Sequence, residues 1–369
     1  MAVGTRLRKN LDIPLIVVAY LLAITGVIMI YSVTYRDPSA AFHKKQIIGI
    51  CLGTVGLTAA AMLDYHLYLR IARQIYGVNL ALLVLVLKFA HTVNGAGRWI
   101  RVAGFPFQPS ESAKLFVILT LGAFLLNRRD TIREAKTLLL SLGYVLIPAL
   151  LILKQPDLGT ALVLLAIWLG MVFMAGASLR HLAGLVLICM LIFVGLWQSG
   201  KVIKGYQKDR IKTLISPEAD TSKSGWHVKQ ARMAIGSGGM WGRGLLHGAA
   251  AQGHWVPEKE SDFIFTDIGE ELGFAGALIL TTLYIVLLAR GYLLIVAADE
   301  DLYGKLIASG IVTMLAFHVI VNIGMNVGVL PVAGIPLPLI SAGGSNILMT
   351  LVGIGLLQSV SIHRHQLMF

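Results

Sequence analysis

The stretch DIPLIVVAYLLAITGVIMIYSVT, residues 12–34, decides the fold class of this chain. Its apolar part is long enough to cross the hydrocarbon core of a bilayer, which takes about 20 residues in a helix. Three basic residues, Arg6, Arg8 and Lys9, precede it. The apolar run is too long for a signal-peptide core and lacks a clear small-residue cleavage site, so it is predicted to be a retained first transmembrane helix.

Comparable apolar stretches recur along a chain that is 56% hydrophobic and 14% charged, with a mean hydropathy of +0.77. About ten are long enough to span a bilayer, and none alternates apolar and polar residues as the strands of a membrane barrel do. We therefore predict an all-α integral membrane protein with a single polytopic membrane domain over residues 1–369 and no separate soluble domain. The predicted spans are 12–34, 45–63, 74–91, 112–127, 137–153, 158–176, 180–198, 264–290, 305–328 and 341–361.

The distribution of Lys and Arg predicts which side of the membrane each connection faces. Arg128, Arg129, Arg133 and Lys136 lie in one short connection, and the short connections on that side carry an excess of basic residues. Long loops report topology poorly, so the connection 199–262 is left out of the comparison. The remaining balance predicts that both termini are cytoplasmic and that 199–262 is one long extracellular loop.

The predicted outer connections contain irregular or amphipathic sequence. Residues 91–111 are rich in Gly and Pro and carry Arg98 and Arg101, which predicts a re-entrant segment structured at the interface. At the start of loop 199–262, basic residues alternate with Ile, Tyr and Leu, a pattern typical of an interfacial amphipathic helix. Irregular backbone at membrane depth must be covered by protein or water, so these segments indicate a solvated outer cavity.

The segment VPEKESDFIFTDIGEELG, residues 256–273, concentrates acidic residues where the long outer loop meets a predicted helix. A carboxylate at a membrane boundary is costly to desolvate, so its presence suggests a function. The acidic residues are Glu258, Glu260, Asp262, Asp267, Glu270 and Glu271.

An outward-facing acidic segment beside basic loops suits a charged, lipid-linked substrate. One carboxylate could act as a general base on a hydroxyl, and Arg or Lys, alone or with a divalent cation, could neutralise a phosphate leaving group. A polyprenyl-pyrophosphate-linked sugar fits both requirements and can arrive through the bilayer. The residues alone support an enzyme acting on such a lipid and a transporter of such a lipid almost equally well. A protein that only acts as a scaffold would not explain the acidic residues.

Two segments resemble known binding motifs, but a structural role explains each of them better than a role in binding or catalysis. The glycine-rich GSGGMWGRG, residues 236–244, lacks the Gly-Lys-Ser/Thr of a phosphate-binding loop and the preceding strand of a dinucleotide fingerprint. The triplet DED at 299–301 resembles the metal-binding triplet of sugar-nucleotide transferases, but it lies in a short predicted cytoplasmic loop. A solvated acidic loop is therefore the better interpretation.

Two sets of polar residues lie inside predicted helices. His318, Asn322 and Asn326 are four residues apart and share one helix face, which predicts interhelical hydrogen bonds. Glu111 and Lys114 are three residues apart and can pair with each other. For this pair, a structural role and a catalytic role are equally compatible with the sequence.

Six segments resemble the signature segments of the SEDS family, the shape, elongation, division and sporulation proteins, and they occur in that family's order. The acidic segment is the most specific, and the resemblance covers nearly the whole chain. The elongation member is the better match, because division members commonly have a longer cytoplasmic N-terminal extension. The segments are GAGRWI (95–100), FQPSESAKL (107–115), QPDLGTA (155–161), GSGGMWGRG (236–244), PEKESDFIFTDIGEELGFAG (257–276) and LPLISAGGS (337–345).

The resemblance implies a ten-helix peptidoglycan glycosyltransferase of the bacterial plasma membrane, which polymerises lipid II on the outer face for cell elongation and shape. Undecaprenyl pyrophosphate would leave and the anomeric centre would invert. A class B penicillin-binding protein is the implied partner, lipid II and membrane lipids are further partners, and no nucleic-acid partner is expected. The alternatives are a lipid II flippase and a division-type polymerase.

By resemblance, Asp262 of the DFIF motif is the catalytic residue, and Glu111, Lys114 and Asp157 match further motif positions of the family. The start of the eighth predicted helix suits Asp262, because the helix dipole stabilises the anion that a base needs. The same stabilisation weakens the base, so either a divalent cation, Mg²⁺ or Mn²⁺, or hydrogen bonds to the acceptor hydroxyl would assist. No other cofactor is expected, and the ligands of such a metal are not predicted.

Two positions depart from the family's pattern. Glu260 and Ser261 stand where relatives usually have His-Thr, and Asp267 stands where relatives often have an apolar residue, which leaves the role of Asp267 open. The further candidates for binding substrate or organising the site are Arg98, Arg101, Lys114, Arg210 and Glu258.

The ninth predicted helix carries Gly310, Gly324 and Gly328, the last two in GxxxG spacing. Small residues allow close helix approach in membranes. We therefore predict a lipid-facing groove at these glycines, where the partner's membrane helix packs beside the eighth and ninth helices.

Overall fold

The chain folds into a bundle of membrane-spanning helices, in agreement with the predicted fold class. The computed structural model describes residues 10–35, 42–89, 91–93, 96–102, 105–187, 223–248 and 260–363. Within these residues, seven helices are long and apolar enough to cross a membrane, and an eighth apolar helix is slightly shorter. The chain is therefore a multi-pass membrane protein.

The helices follow the predicted spans closely over most of the chain. A further helical segment is described over 179–187, within the predicted span 180–198, and the remainder of that span lies outside the described residues. The amphipathic start of loop 199–262 lies outside them as well. The helices are α1 (Ile13–Thr34), α2 (Phe42–Met62), α3 (His66–Arg70), α4 (Ala72–Phe89), α5 (Pro109–Leu126), α6 (Ala135–Lys154), α7 (Leu158–Met174), α8 (Lys223–Ser237), α9 (Ile264–Glu271), α10 (Gly273–Ala297), α11 (Leu302–Asn326) and α12 (Gly344–His363).

The predicted span 264–290 is not one helix, because the chain breaks between α9 and α10. Gly273 adopts a left-handed conformation with φ +67°, and a Cβ atom there would lie 2.3 Å from the backbone nitrogen of Gly242. Only glycine fits such a position without strain. The break separates the short α9 from the membrane-spanning α10.

The predicted re-entrant segment 91–111 instead forms a small antiparallel sheet followed by the start of α5. Its strands are β1 (His91–Val93), β2 (Ala96–Val102) and β3 (Phe105–Phe107), in the order β1-β2-β3. Hairpin pairing satisfies backbone groups that an irregular segment would leave exposed near lipid. Pro109 then begins α5, at a position where proline's missing N–H costs no helical hydrogen bond.

Helices α5 and α12 occupy the centre of the bundle. In their apolar parts 83% of the residues are buried, against 33% in α2 and in α10. Close backbone packing contributes at the centre: a Cβ atom on Gly355 of α12 would lie 2.4 Å from the carbonyl oxygen of Leu57 on α2. The motif residues of α5 therefore lie in the most buried part of the bundle.

The first and last helices meet at one end of the bundle. The backbone N–H of Asp12 donates to Oε1 of Gln358 at 2.9 Å, and the Ser361 hydroxyl donates to the carbonyl of Asn10 at 2.7 Å. Arg290 of α10 forms an ion pair with Asp12 at 2.7 Å. The start of α1 and the end of α12 therefore lie on the same side of the bundle, and the compartment that this side faces stays a prediction.

Candidate active site

Asp262 lies in a turn that leads into α9, at the end of the bundle opposite the chain termini. The helix begins at Ile264 with Phe263 as its N-cap residue, so Asp262 precedes the helix and does not begin it as predicted. Its side chain is half-buried, whereas every residue of α9 is buried. The prediction that the helix dipole acts directly on this carboxylate is therefore too strong, because that effect falls off beyond the first turn.

The backbone of this turn is anchored at three consecutive carbonyl groups. The Glu260 carbonyl accepts from the N–H of Ala342 at 2.7 Å, and the Ser261 carbonyl accepts from the hydroxyl of Ser341. The Asp262 carbonyl accepts from side-chain amides of α11. Such a turn holds its carboxylate on a fixed backbone, as a general base requires.

The acidic residues of α9 do not form an exposed cluster with Asp262. Asp267, Glu270 and Glu271 are all buried. Glu270 lies 3.6 Å from the Arg243 guanidinium, and Glu271 accepts a hydrogen bond from the Ser32 hydroxyl at 2.6 Å. Glu270 and Glu271 therefore tie α9 to neighbouring segments. Burial raises the pKa of Glu271, which lies outside the membrane-spanning helices.

The glycine-rich segment 236–244 wraps around the break between α9 and α10. The N–H of Arg243 donates to the Glu270 carbonyl and the N–H of Gly244 to the Glu271 carbonyl, both at 3.0 Å. Gly242 has φ +78°, and a Cβ atom there would lie 2.2 Å from the Glu271 carbonyl oxygen. The glycines therefore allow this segment to pack closely against the backbone of the break.

Glu111 and Lys114 form the predicted ion pair, with Lys114 Nζ 2.9 Å from Glu111 Oε2 and both side chains almost fully buried. The Asn346 amide donates to the same Glu111 oxygen at 2.9 Å, and Lys114 Nζ lies 3.1 Å from His318 Nε2. Since His318 Nδ1 lies 2.8 Å from the carbonyl of Met314, which can only accept, Nε2 is the nitrogen that accepts from Lys114.

A small cavity beside this ion pair has room for about one water molecule. His318 also shows where the pair lies relative to the turn with Asp262, because it precedes Asn322 on one face of α11. Four residues of helix correspond to about 6 Å along the axis. The Glu111–Lys114 pair therefore lies deeper in the bundle than Asp262 and supports the site from below.

Asp157 caps the start of α7 and is buried. Its carboxylate accepts from the N–H of Thr160 at 3.1 Å, the hydroxyl of Thr160 at 3.0 Å and the side-chain amide of Gln108 at 3.2 Å. Arg98 donates to the carbonyl of Gln155 at 2.9 Å and to that of Pro156. Asp157 thus fixes the turn between α6 and α7 against the start of α5, and Arg98 fixes the same turn against β2.

The other predicted site residues are less fully described. Arg101 lies in β2, where it is paired with Pro106 in the sheet register. Arg210 and Glu258 lie outside the described residues. Within the described part of the chain, no group of three or more His, Cys, Asp or Glu side chains forms a metal-binding cluster.

The interhelical hydrogen bonds predicted for this helix face are confirmed for His318, with Lys114 of α5, and for Asn326, with Thr266 of α9. Asn322 instead donates to carbonyl groups of two segments that are not helical, and the acceptor that it shares with Asn326 was not predictable from sequence. Both amides donate to the peptide carbonyl of Asp262 at 3.1 Å. The four-residue spacing placed them on one face of α11, yet nothing in the spacing identifies the partner segment, which lies 60 residues earlier.

The predicted docking groove at Gly310, Gly324 and Gly328 is wrong. A Cβ atom on Gly324 would lie 2.7 Å from the Leu330 side chain, and one on Gly328 would lie 2.9 Å from the Arg232 side chain. Gly310 likewise faces side chains of this chain's own α5 and α7. The glycines allow close packing within the bundle, so they are not available to a partner helix.

The chain is similar to known proteins over nearly its full length. The family model FTSW_RODA_SPOVE, described as cell cycle protein, matches residues 13–366. Peptidoglycan glycosyltransferase MrdB of Escherichia coli strain K12 is 36% identical over 361 residues, covering 98% of this chain and 96% of that protein.

Two solved structures are similar in fold. A chain from a structure described as "Structural coordination of polymerization and crosslinking by a peptidoglycan synthase complex" has a TM-score of 0.83 and 33% identity, and covers 96% of this chain and 99% of that one. The rod shape determining protein RodA of Thermus thermophilus has a TM-score of 0.68 and 29% identity, with coverage of 96% and 98%.

Proposed function

Because the chain belongs to the FtsW, RodA and SpoVE family of cell cycle proteins, we propose that it is a peptidoglycan glycosyltransferase. Its substrate is lipid II, which it polymerises into glycan strands at the outer face of the bacterial plasma membrane for cell elongation. The observation that carries the proposal is Asp262, a half-buried carboxylate on an anchored turn beside an otherwise buried acidic helix.

In the proposed reaction, the 4-hydroxyl of an acceptor GlcNAc attacks the anomeric carbon of a donor MurNAc. The new glycosidic bond forms as the bond to undecaprenyl pyrophosphate breaks, and attack from the opposite side inverts the anomeric centre. Asp262 takes the proton of the hydroxyl as general base. Its anchored backbone limits the positions that the carboxylate can occupy, which favours reaction over unproductive encounters.

The buried ion pair and the cap of α7 have organising roles in this proposal. Lys114 is paired with Glu111 inside the bundle, and Arg98 donates to backbone carbonyls, so neither is assigned to the leaving group. Asp157 fixes the neighbouring turn. Arg101, Arg210 and Glu258 remain the candidates for direct contact with the substrate.

A divalent cation fits the described carboxylates only with help from the substrate. Glu260 and Asp262 are half-buried and lie two positions apart on the anchored turn. Mg²⁺ is often held by one or two carboxylates together with substrate phosphates. Bound in this way, Mg²⁺ or Mn²⁺ would neutralise charge on the pyrophosphate, while Asp262 remains the residue that accepts the proton.

The proposal includes a cross-linking partner and an orientation. The similar chain from a peptidoglycan synthase complex supports a class B penicillin-binding protein as partner. Both termini would be cytoplasmic, which places the turn with Asp262 outside. The faces of α10 that remain exposed, including Phe274, Leu278 and Ile285, are available to lipid or to a partner helix.

The proposed activity is tested with the purified protein and lipid II in detergent or liposomes, with and without the class B penicillin-binding protein. Glycan strands that a muramidase digests are the expected product, and the partner should increase their yield. Movement of lipid II across a liposome bilayer without any glycan product would instead support a flippase and contradict the proposal.

A further inference from the structure

The peptide carbonyl of Asp262 accepts hydrogen bonds from two asparagine side chains of α11. Nδ2 of Asn322 lies 3.1 Å from this carbonyl oxygen and 2.8 Å from that of Ile335, and Nδ2 of Asn326 also lies 3.1 Å from the Asp262 oxygen. A carbonyl oxygen has two lone pairs, and the two amides use both. Both asparagines are completely buried.

The orientation of each amide is determined by its other neighbours. Oδ1 of Asn326 accepts from the N–H of Thr266 at 3.2 Å and from its hydroxyl at 2.7 Å. Because a backbone N–H can only donate, the oxygen of Asn326 must face Thr266 and its NH₂ group must face Asp262. Asn322 faces two carbonyl groups, which can only accept, so its nitrogen is fixed in the same way.

Asn322 also sets the distance between Asp262 and the connection that follows α11. Its single NH₂ group bridges the carbonyls of Asp262 and Ile335. Next to Ile335, Gly334 has φ +66°, and a Cβ atom there would lie 3.4 Å from Asp262 Oδ2. The bridge therefore keeps the carboxylate against a residue that has no side chain, in a conformation that glycine adopts readily.

We infer that Asn322 and Asn326 are positioning residues that set the location of the Asp262 carboxylate for proton transfer. The inference rests on the proposed function, because it assigns their purpose to the general base of that reaction. Neither asparagine can touch substrate, since both are buried behind the turn. A base must come within about 2.6–3.2 Å of the proton it removes, and misplacement by 1 Å can reduce a rate about 100-fold.

The test uses Asn322→Leu and Asn326→Leu, which keep the size of the side chain but cannot donate to Asp262. Asn79→Leu is the matched control, because Asn79 is equally buried on α4 and makes no described contact with residues 260–262. Asn322→Leu and Asn326→Leu should each lower kcat at least about tenfold and change KM for lipid II less than about twofold. That combination indicates an effect on the transition state. The control should keep both constants.

A milder variant keeps the test valid if a leucine variant does not fold. Thr266→Val removes the hydroxyl that orients Asn326 but keeps the shape of the side chain and the N–H bond to Oδ1. It should lower kcat by about threefold without changing KM. Normal kcat in folded Thr266→Val and in the folded leucine variants would overturn the inference. So would an effect confined to KM, because that would place the asparagines in substrate binding.

A second measurement reports position without activity. In a background with Cys51→Ser and Cys189→Ser, the protein with Asp262→Cys is labelled by a small thiol reagent. Adding Asn322→Leu or Asn326→Leu should change the labelling rate at least about threefold, because thiol reactivity follows exposure and surroundings, whereas Asn79→Leu should not. Unchanged labelling would overturn the inference. Changed labelling of the Asp262→Cys variants, together with no glycan product from the protein that retains Asp262, would contradict only the proposed function.

Discussion

Neutralising one member of the buried Glu111–Lys114 pair should destabilise the protein far more than neutralising both. Lys114→Met removes the ammonium group but keeps most of the side-chain length, so the Glu111 carboxylate stays buried with the neutral Asn346 amide as its described partner. Glu111→Gln leaves the ammonium of Lys114 beside His318 in the same way. The double variant leaves no uncompensated charge.

The expected magnitude follows from the distance and burial of the pair. Nζ and Oε2 are 2.9 Å apart, and the two side chains are 3% and 6% exposed. Two unit charges at that separation attract by about 6 kcal/mol at an effective dielectric constant of about 20. Desolvation offsets much of this attraction, but removing one partner of a buried pair costs about 3–5 kcal/mol. The double variant should lose no more than about 1 kcal/mol, because replacing a whole buried pair is often neutral.

Unfolding of the purified protein in mixed micelles, followed by titration with a denaturing detergent, measures these differences. Asp130→Asn is the control, since Arg129 and Asp130 form an exposed pair at 3.7 Å that should contribute nothing measurable. The reasoning is refuted if the double variant is as unstable as the two single variants combined, because the two charges would then act independently.

Two further predictions concern the packing of α9 and the orientation of the bundle. Gly242→Ala should lower stability by at least about 1 kcal/mol in the same titration, because a side chain at its positive φ is strained and would meet the Glu271 carbonyl; equal stability would show that segment 236–244 does not pack on the helix break. A cysteine introduced at Ser222 should react with a membrane-impermeant thiol reagent in intact spheroplasts, whereas one at Thr131 should not. The reverse labelling would show that the bundle has the opposite orientation in the membrane, which would contradict a reaction outside the cell.

The sequence predicted the membrane spans because their apolar length is a local property. It also predicted the Glu111–Lys114 pair and the helix face of Asn322 and Asn326, since three- and four-residue spacings place side chains together on a helix. These features depend on residues that are close in the chain.

Features that depend on distant segments were not predictable in the same way. The break at Gly273 follows from its contact with Gly242 in the preceding loop, and the acceptor shared by Asn322 and Asn326 lies on a different segment. The docking prediction at Gly324 failed for the same reason: glycine spacing indicates close packing but does not say whether the neighbour is another chain or, as here, Leu330 of the same one.

The sheet that replaced the predicted re-entrant segment illustrates a further limit. Gly and Pro indicated irregular backbone in residues 91–111, but β2 and β3 pair across a short connection, with Ile100 opposite Phe107. β-structure of this kind depends on cross-strand packing more than on intrinsic preference. Composition alone therefore identified an unusual segment between two helices without identifying its hydrogen-bond pattern.

The proposed function depends above all on Asp262 as the general base of lipid II polymerisation. Asp262→Asn keeps the size of the side chain and the anchored backbone but cannot accept the proton. Single-turnover polymerisation of lipid II by the purified variant, with folding and lipid II binding checked in parallel, tests this claim most directly. We expect a rate at least about 100-fold below wild type, which is the usual contribution of general base catalysis, with lipid II binding retained. A folded variant that polymerises lipid II at close to the wild-type rate would contradict it.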